Sequence, residues 1–299
     1  MNEKLKVEVN VSLDSENDED MVIRQPIVAL MYDFDKTLCT KDMQEYGFIP
    51  ELGMTSAEFW GEVKSLTDSQ SMDNVLAYMF LMVEKCKEKK IRITKEKFKE
   101  LGNNVKFFGG VETWFDRINN YAKKIGVRVE HYIVSSGIKE IIEGTSIAKN
   151  NEFKEIYACE FMYDYNNIIQ WPKMAVNYTA KTQFLFRINK GVLNIDTESI
   201  NKLNSFTPEK DRRIPFQNMI YIGDGLTDVP CMKLVKAHGG QSIAVYDQDK
   251  GKNAAQNLLK DNRVNYIVPA DYNEGSEIEV LVKAIMKKIK AVFIMESLI

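Results

Sequence analysis

Three short apolar runs, each broken off by small or acidic residues, constrain this chain more than any other feature. They span Ile27–Tyr32, 127–134 and 219–222, and they stop at Asp33, at Ser135-Ser136-Gly137 and at Gly223-Asp224-Gly225. A short run with no polar side fits a strand covered on both faces, as in a parallel sheet between helices. In open α/β sheets, ligands gather beyond the carboxyl ends of such strands, where strand order reverses. An α/β fold is expected, with the three loops converging at one edge of its sheet.

A chain of 299 residues with 44% hydrophobic content fills one large domain or two ordinary ones. A formal net charge of -3 and a pI near 5.7 carry no global basic excess, which argues against nucleic acid and an acidic membrane surface as partners. Cys39, Cys86, Cys159 and Cys231 are scattered without a Cys-x-x-Cys pair, so buried free thiols are expected instead of disulfides or a zinc site. Residues 1–20 are acidic and lack the basic segment and apolar stretch of a signal peptide, and no apolar run reaches membrane-spanning length. A cytoplasmic protein is expected. Leu5, Val7, Val9, Val11 and Leu13 alternate with polar residues, so 1–20 reads as an N-terminal arm able to add an edge strand.

Between the first strand and Val111 the pattern turns helical. Thr55 or Ser56 is expected to start a helix carrying Phe59, Trp60 and Val63, Ser71 to cap one with Val75, Met79, Met82, Val83 and Cys86 on one face, and Thr94 to start a third with Phe98 and Leu101. This block, 41–105, reads as a helical cap inserted into a core made of 21–40 and 106–299. Its Met and aromatic side chains are assigned to its own packing and substrate contacts to its loops. Beyond Gly137, 138–142 reads as a helix and 161–176 as a hairpin turning at Asn166-Asn167. A helix opens near Lys181 and closes near Gly191, 195–215 has no clear period, and 278–294 is expected to be a helix against the sheet.

The chemistry follows from what the strand ends carry. Asp33 and Asp35, two residues apart in the turn after a buried strand, supply a nucleophile and a proton carrier for phosphoryl transfer through an aspartyl phosphate. Thr37 and the neighbouring amides can hold that turn and orient phosphoryl oxygens. Asp224 and Asp228 add carboxylates that suit a hard cation, with Mg²⁺ the usual choice beside phosphate. Ser135 offers a hydroxyl to a phosphoryl oxygen, and the amides of Ser136 and Gly137 are placed at a helix start that favours anions. Lys181 is preferred over Lys173 and Lys190 for the remaining positive charge, since Lys173 follows a proline within the expected hairpin. His131 and His238, the only histidines, are assigned structural roles, and Cys39 is read as a packing residue.

With these motifs in this order, the chain resembles the haloacid dehalogenase-like hydrolase superfamily, in the branch that includes phosphoserine phosphatases. Asp33-Phe34-Asp35-Lys36-Thr37, Ser135, Lys181 and Gly223-Asp224-Gly225-Leu226-Thr227-Asp228 match its four motifs over the core, 22–246. The resemblance implies a Rossmann-like core with a helical cap after the first motif, and a Mg²⁺-dependent phosphatase. It further implies that Asp33 and Asp224 bind the metal by side chain, Asp35 through its backbone carbonyl, and that Asp228 supports the metal shell. That branch reads its amino-acid substrate with a glutamate early in the cap and an arginine further along. Here Asp42 falls near the first place, and Arg92 is the only arginine of the insertion. The leading expectation is hydrolysis of a small phosphorylated metabolite, with Asp33 as nucleophile and Asp35 as general acid and base. A phosphotransferase or mutase using the same aspartyl phosphate, or a non-catalytic binding protein with this fold, are the alternatives.

Overall fold

The computed structural model describes residues 25–298, so the arm read at 1–20 lies outside the described residues. Its sheet is built from β1 (Ile27–Tyr32), β2 (Arg128–Ile138), β3 (Phe153–Tyr163), β4 (Ile169–Met174), β5 (Met219–Gly223), β6 (Gln241–Tyr246) and β7 (Tyr266–Pro269). The spatial order is β4-β3-β2-β1-β5-β6-β7, parallel throughout except for the antiparallel β3–β4 pair. β1 therefore sits at the reversal: the chain leaves it toward β2 on one side and returns later to β5 on the other. Side chains 28 to 32 and all of β5 are buried, as uninterrupted apolar runs in a covered sheet require.

The helices are α1 (Phe48–Glu51), α2 (Ser56–Gln70), α3 (Asn74–Lys89), α4 (Lys95–Leu101), α5 (Val111–Lys124), α6 (Lys139–Glu143), α7 (Ser146–Lys149), α8 (Ala180–Lys190), α9 (Thr197–Asn204), α10 (Val229–Ala237), α11 (Asn253–Lys260) and α12 (Glu277–Glu296). Thr55 caps α2 in a reciprocal box with Glu58, and the Thr94 hydroxyl accepts from the Lys97 amide at 3.1 Å to start α4. Ser71 does not cap α3. It closes α2 in the left-handed region at φ 52°, and Asp73 caps α3 by accepting the amides of Val75 and Leu76, each at 3.0 Å. A carboxylate that takes two free amides at a helix's positive end outcompetes a hydroxyl two residues away.

The second strand also runs further than its sequence indicates. β2 continues through Ser135, Ser136 and Gly137 to Ile138, whose partner in β3 is Cys159, and the helix begins only at Lys139. Ser-Ser-Gly has turn composition, but pairing with β3 beyond a register shift keeps it extended. The hairpin forms as expected: Asp164 Oδ1 accepts the amides of Asn166 and Ile168 at 2.8 and 2.9 Å, with Asn167 in the left-handed region. Its second strand, β4, forms one edge of the sheet and carries Pro172 and Lys173.

The helical block meets this hairpin. Phe98 of α4 stacks on Phe161 at 5.7 Å, Phe80 of α3 stands edge-on to Trp171 at 6.2 Å, and Thr94 bridges Ile168. The segment 195–215, without a readable period, contains α9, capped by Asp196 on the Ser199 amide at 2.7 Å. α12 buries Ile278, Val282, Ile285 and Met286 and joins α5 through Arg117 and Glu279 at 3.0 Å. Among the described residues no helix is long and apolar enough to cross a membrane. All four cysteines are free and buried.

His131 is a core residue of β2. Its ring nitrogens lie 3.0 Å from the Tyr32 hydroxyl and 3.0 Å from Asn119 Oδ1, and burial lowers its pKa to about 3, so the ring stays neutral. His238 closes α10, with Nδ1 2.9 Å from the Leu234 carbonyl oxygen.

Candidate active site at the carboxyl ends of the strands

The Asp33 amide donates to the Ile222 carbonyl at 2.9 Å, which extends the β1–β5 pairing by one residue and sets the Asp33 carboxylate at the sheet edge. The chain then folds back tightly. Leu38 and Cys39 both donate backbone N–H groups to the Phe34 carbonyl, at 2.9 and 3.2 Å, and Lys36 takes a left-handed conformation at φ 58°. This turn places Asp35 beneath the first helical segment, where its Oδ1 accepts the Met43 amide at 2.9 Å.

A helix, α8, delivers Lys181. Its fully buried ammonium donates to Asp33 Oδ1 at 2.9 Å and to Asp228 Oδ1 at 2.8 Å. Asp228 is held by further contacts: the Tyr221 hydroxyl donates to Oδ1 at 2.8 Å and the Gly225 amide to Oδ2 at 3.2 Å. Lys173 instead pairs with Glu160 at 2.8 Å on the surface, and Lys190 donates to the carbonyls of Leu203 and Ser205. Of the three lysines, Lys181 is the one that the fold brings to Asp33 and Asp228.

Asp33, Asp224 and Asp228 offer carboxylate oxygens that lie within 4.8 Å of one another. Their proximity is costly when all are charged. Burial and the facing Asp228 lift Asp33 to about 6 against the pull of Lys181, and burial with Asp228 and Asp33 raises Asp224 well above the carboxylate range. Burial, then Asp42 and Asp33, raise Asp35 likewise. Burial opposes the charge on Lys181, but Asp228 and Asp33 outweigh it and hold the ammonium above its usual pKa. Three oxygen donors in mutual repulsion at a partly enclosed site are the donor set that a hard divalent cation relieves. The residues fit Mg²⁺.

The other motif residues are placed unequally. Ser135 is buried and lines the cleft, and its Oγ accepts the Gly137 amide at 3.0 Å. That amide is therefore already bonded, and the helix start assigned to Ser136 and Gly137 lies two residues further on. Gly137 has a different reason to be glycine: a Cβ there would sit 2.0 Å from Met43 Cε and 3.1 Å from Asp35 Oδ2. The Ser136 hydroxyl donates to the Val176 carbonyl at 2.7 Å, while the Ser136 carbonyl accepts from the Tyr78 hydroxyl of α3 at 2.5 Å. Thr37 is buried within the turn, its amide 3.3 Å from the Phe34 carbonyl and its hydroxyl without a partner.

Above the carboxylates lies a cavity of about 380 Å³. Asp33, Asp35, Asp224 and Ser135 line its floor, and Gln44, Trp60, Val75 and Tyr78 line the helical side. Asp42 lines it too, bound to Lys36 at 2.6 Å, whereas Arg92 is exposed and outside the lining. Tyr221, Gln44 and Tyr78 were not singled out by sequence. A tyrosine inside an apolar strand is a usable signal, because its buried hydroxyl needs a partner.

With this fold and this acidic cleft, the chain belongs to the haloacid dehalogenase-like hydrolases, a family that it matches over residues 30–233. It is 32% identical over 297 residues to an uncharacterized protein of Borreliella burgdorferi, covering 89% of this chain and 98% of that one. A HAD family hydrolase, t0658, from Salmonella enterica serovar Typhi is similar in structure, with a TM-score of 0.51, 16% identity, and coverage of 82% of this chain and 68% of that one. A phosphoserine phosphatase in its apo form has a TM-score of 0.51 at 14% identity, covering 86% and 98%. At these identities the structural likeness concerns the fold alone.

Proposed function

We propose that this protein is a Mg²⁺-dependent phosphatase that hydrolyses a small phosphorylated metabolite in the cytoplasm, where its four buried free thiols stay reduced. Lys181 carries this reading. A buried cation held between Asp33 and Asp228, beside a third carboxylate and behind a cavity that Asp33 and Asp224 line, is an arrangement suited to a dianionic phosphoryl group.

In this mechanism an Asp33 oxygen attacks phosphorus, the bond to the leaving oxygen breaks, and an aspartyl phosphate forms. Asp35, two residues along the same turn, gives a proton to the leaving oxygen. It then takes a proton from the water that attacks the acyl phosphate and releases inorganic phosphate. Asp33, Asp224 and the Asp35 carbonyl would hold Mg²⁺, with Asp228 behind them, and the bound ion supplies positive charge that offsets repulsion between carboxylate and phosphate. Lys181 fixes the Asp33 carboxylate and shares its charge. In this reading Ser135 donates to a phosphoryl oxygen. The helical segment 41–105 is read as a lid over the core of 25–40 and 106–298, with the Tyr78–Ser136 bond as one of its fastenings.

The test is turnover of an aryl phosphate by the purified protein in Mg²⁺. Asp33→Asn should lower kcat by roughly 10⁴-fold or more, and EDTA should abolish wild-type activity until Mg²⁺ is restored. Full activity in Asp33→Asn would refute the mechanism. Transfer of phosphate to an added sugar or amino alcohol in preference to water would reassign the protein as a phosphotransferase.

A further inference from the structure

On the helical side of the cleft, Gln44 keeps a buried amide oxygen without a hydrogen-bond partner. Gln44 sits in the short 3₁₀ turn Met43–Tyr46, is 2% exposed and lines the cavity. A buried amide left unbonded is costly, and natural folds rarely keep one without a use for it. Beside it, Trp60, Tyr78 and Val75 form an apolar stretch of the wall. Trp60 and Tyr78 meet edge to face with ring centroids 6.0 Å apart, and the Trp60 Nε1–H is already donated to Glu45 Oε1 at 3.2 Å, so both rings offer the cavity mainly their apolar surface. Val75 completes that surface.

The charges near this wall are already matched. Lys36 and Asp42 bind each other at 2.6 Å, and Lys181 is buried between Asp33 and Asp228. Among the described residues lining the cavity, no other cation faces a substrate carboxylate. A substrate carrying one would have to share Lys36, which lines the cavity already bound to Asp42, and would lie beside that carboxylate. A substrate carrying an ammonium group would have to displace Lys36 from Asp42.

From this we infer that the leaving group of the substrate is uncharged, bears a hydroxyl or amide that pairs with the Gln44 carboxamide, and lays an apolar face against Trp60 and Tyr78. A small sugar or polyol monophosphate has this chemistry; a phosphorylated amino acid does not. The inference rests on the phosphatase reading and narrows its substrate class. A volume of about 380 Å³, near the lower end for ligand cavities, suits a small monoester.

The test compares kcat/KM of the wild-type enzyme in Mg²⁺ on a hexose monophosphate, a pentose monophosphate, phosphoserine, phosphocholine and phenyl phosphate. At least one sugar phosphate should exceed phosphoserine and phosphocholine by tenfold or more. In Gln44→Leu, the ratio of kcat/KM for that sugar phosphate to kcat/KM for phenyl phosphate should fall about tenfold, through KM, the worth of one net hydrogen bond. The ratio does not depend on the fraction of correctly folded enzyme. Gln44→Asn, which withdraws the amide by one methylene, should lower it as well and serves if the leucine variant does not fold. Phosphoserine or phosphocholine as the best substrate overturns the inference, as does an unmoved ratio in both variants. In either case turnover of phenyl phosphate leaves the phosphatase reading standing, whereas no turnover of any of the five defeats both.

Discussion

Beneath the floor of the cleft, Lys181, Asp33, Asp228 and Tyr221 are bonded to one another at 2.8 to 2.9 Å, while on the helical side Gln44 holds an unbonded amide oxygen beside the aromatic side chains of Trp60 and Tyr78. The floor hangs from β1 and β5, whose backbone partners are fixed by the sheet, and from the helix α8. The helical side hangs from a 3₁₀ turn and from α2 and α3. Charges that must stay put are thus mounted on the ends of the central strands and on α8, and adaptable contacts on the helices that pack over the cleft. One wall is suited to hold a phosphoryl group common to many substrates, and the other to distinguish what is attached to it.

The sharpest way to break this division is at Lys181. Lys181→Met strips two buried carboxylates of their shared cation, so it should cut kcat by on the order of 10³-fold. The same change should lower unfolding free energy by about 3–5 kcal/mol in a denaturant titration, because an unpaired buried charge remains. Retained stability together with retained activity would show that the floor is not organised by this pair. Gly137→Ala probes the seam between the two walls. Its methyl would press Met43 and crowd Asp35 Oδ2, and kcat should fall about tenfold with little change in melting temperature, since the methionine end can yield. Tyr78→Phe keeps the ring and removes only the bond to the Ser136 carbonyl. A rise in KM of up to about tenfold, equivalent to about 1 kcal/mol, is the expected outcome. An effect on kcat as large as that of Lys181→Met would place Tyr78 with the floor.

The same division governs what could be read from sequence. β1, β5 and α8 follow local rules, namely apolar runs, small breakers and a glycine at the helix end, and they brought Asp33, Asp224, Asp228 and Lys181 to one place as expected. Ser135-Ser136-Gly137 was harder, because its composition favours a turn while its pairing partner, Cys159, is remote in sequence. The start of α3 was displaced from Ser71 to Asp73 by a choice between two plausible caps that only geometry decides. Gln44 and Tyr78 were beyond reach: their roles come from the surface they cover after folding, and neither stands in a pattern that marks it.

β4, the antiparallel strand at one edge of the sheet, has a consequence for how copies of this protein behave together. The start of this edge is already paired, since the Ile169 amide donates to the Ile93 carbonyl at 3.1 Å, and beyond it Pro172, lacking a backbone N–H, and Lys173, with its charge, both discourage pairing with another chain. The opposite edge, β7, is only four residues long and ends in Pro269. Both margins of the sheet are thereby poor templates for edge-to-edge aggregation.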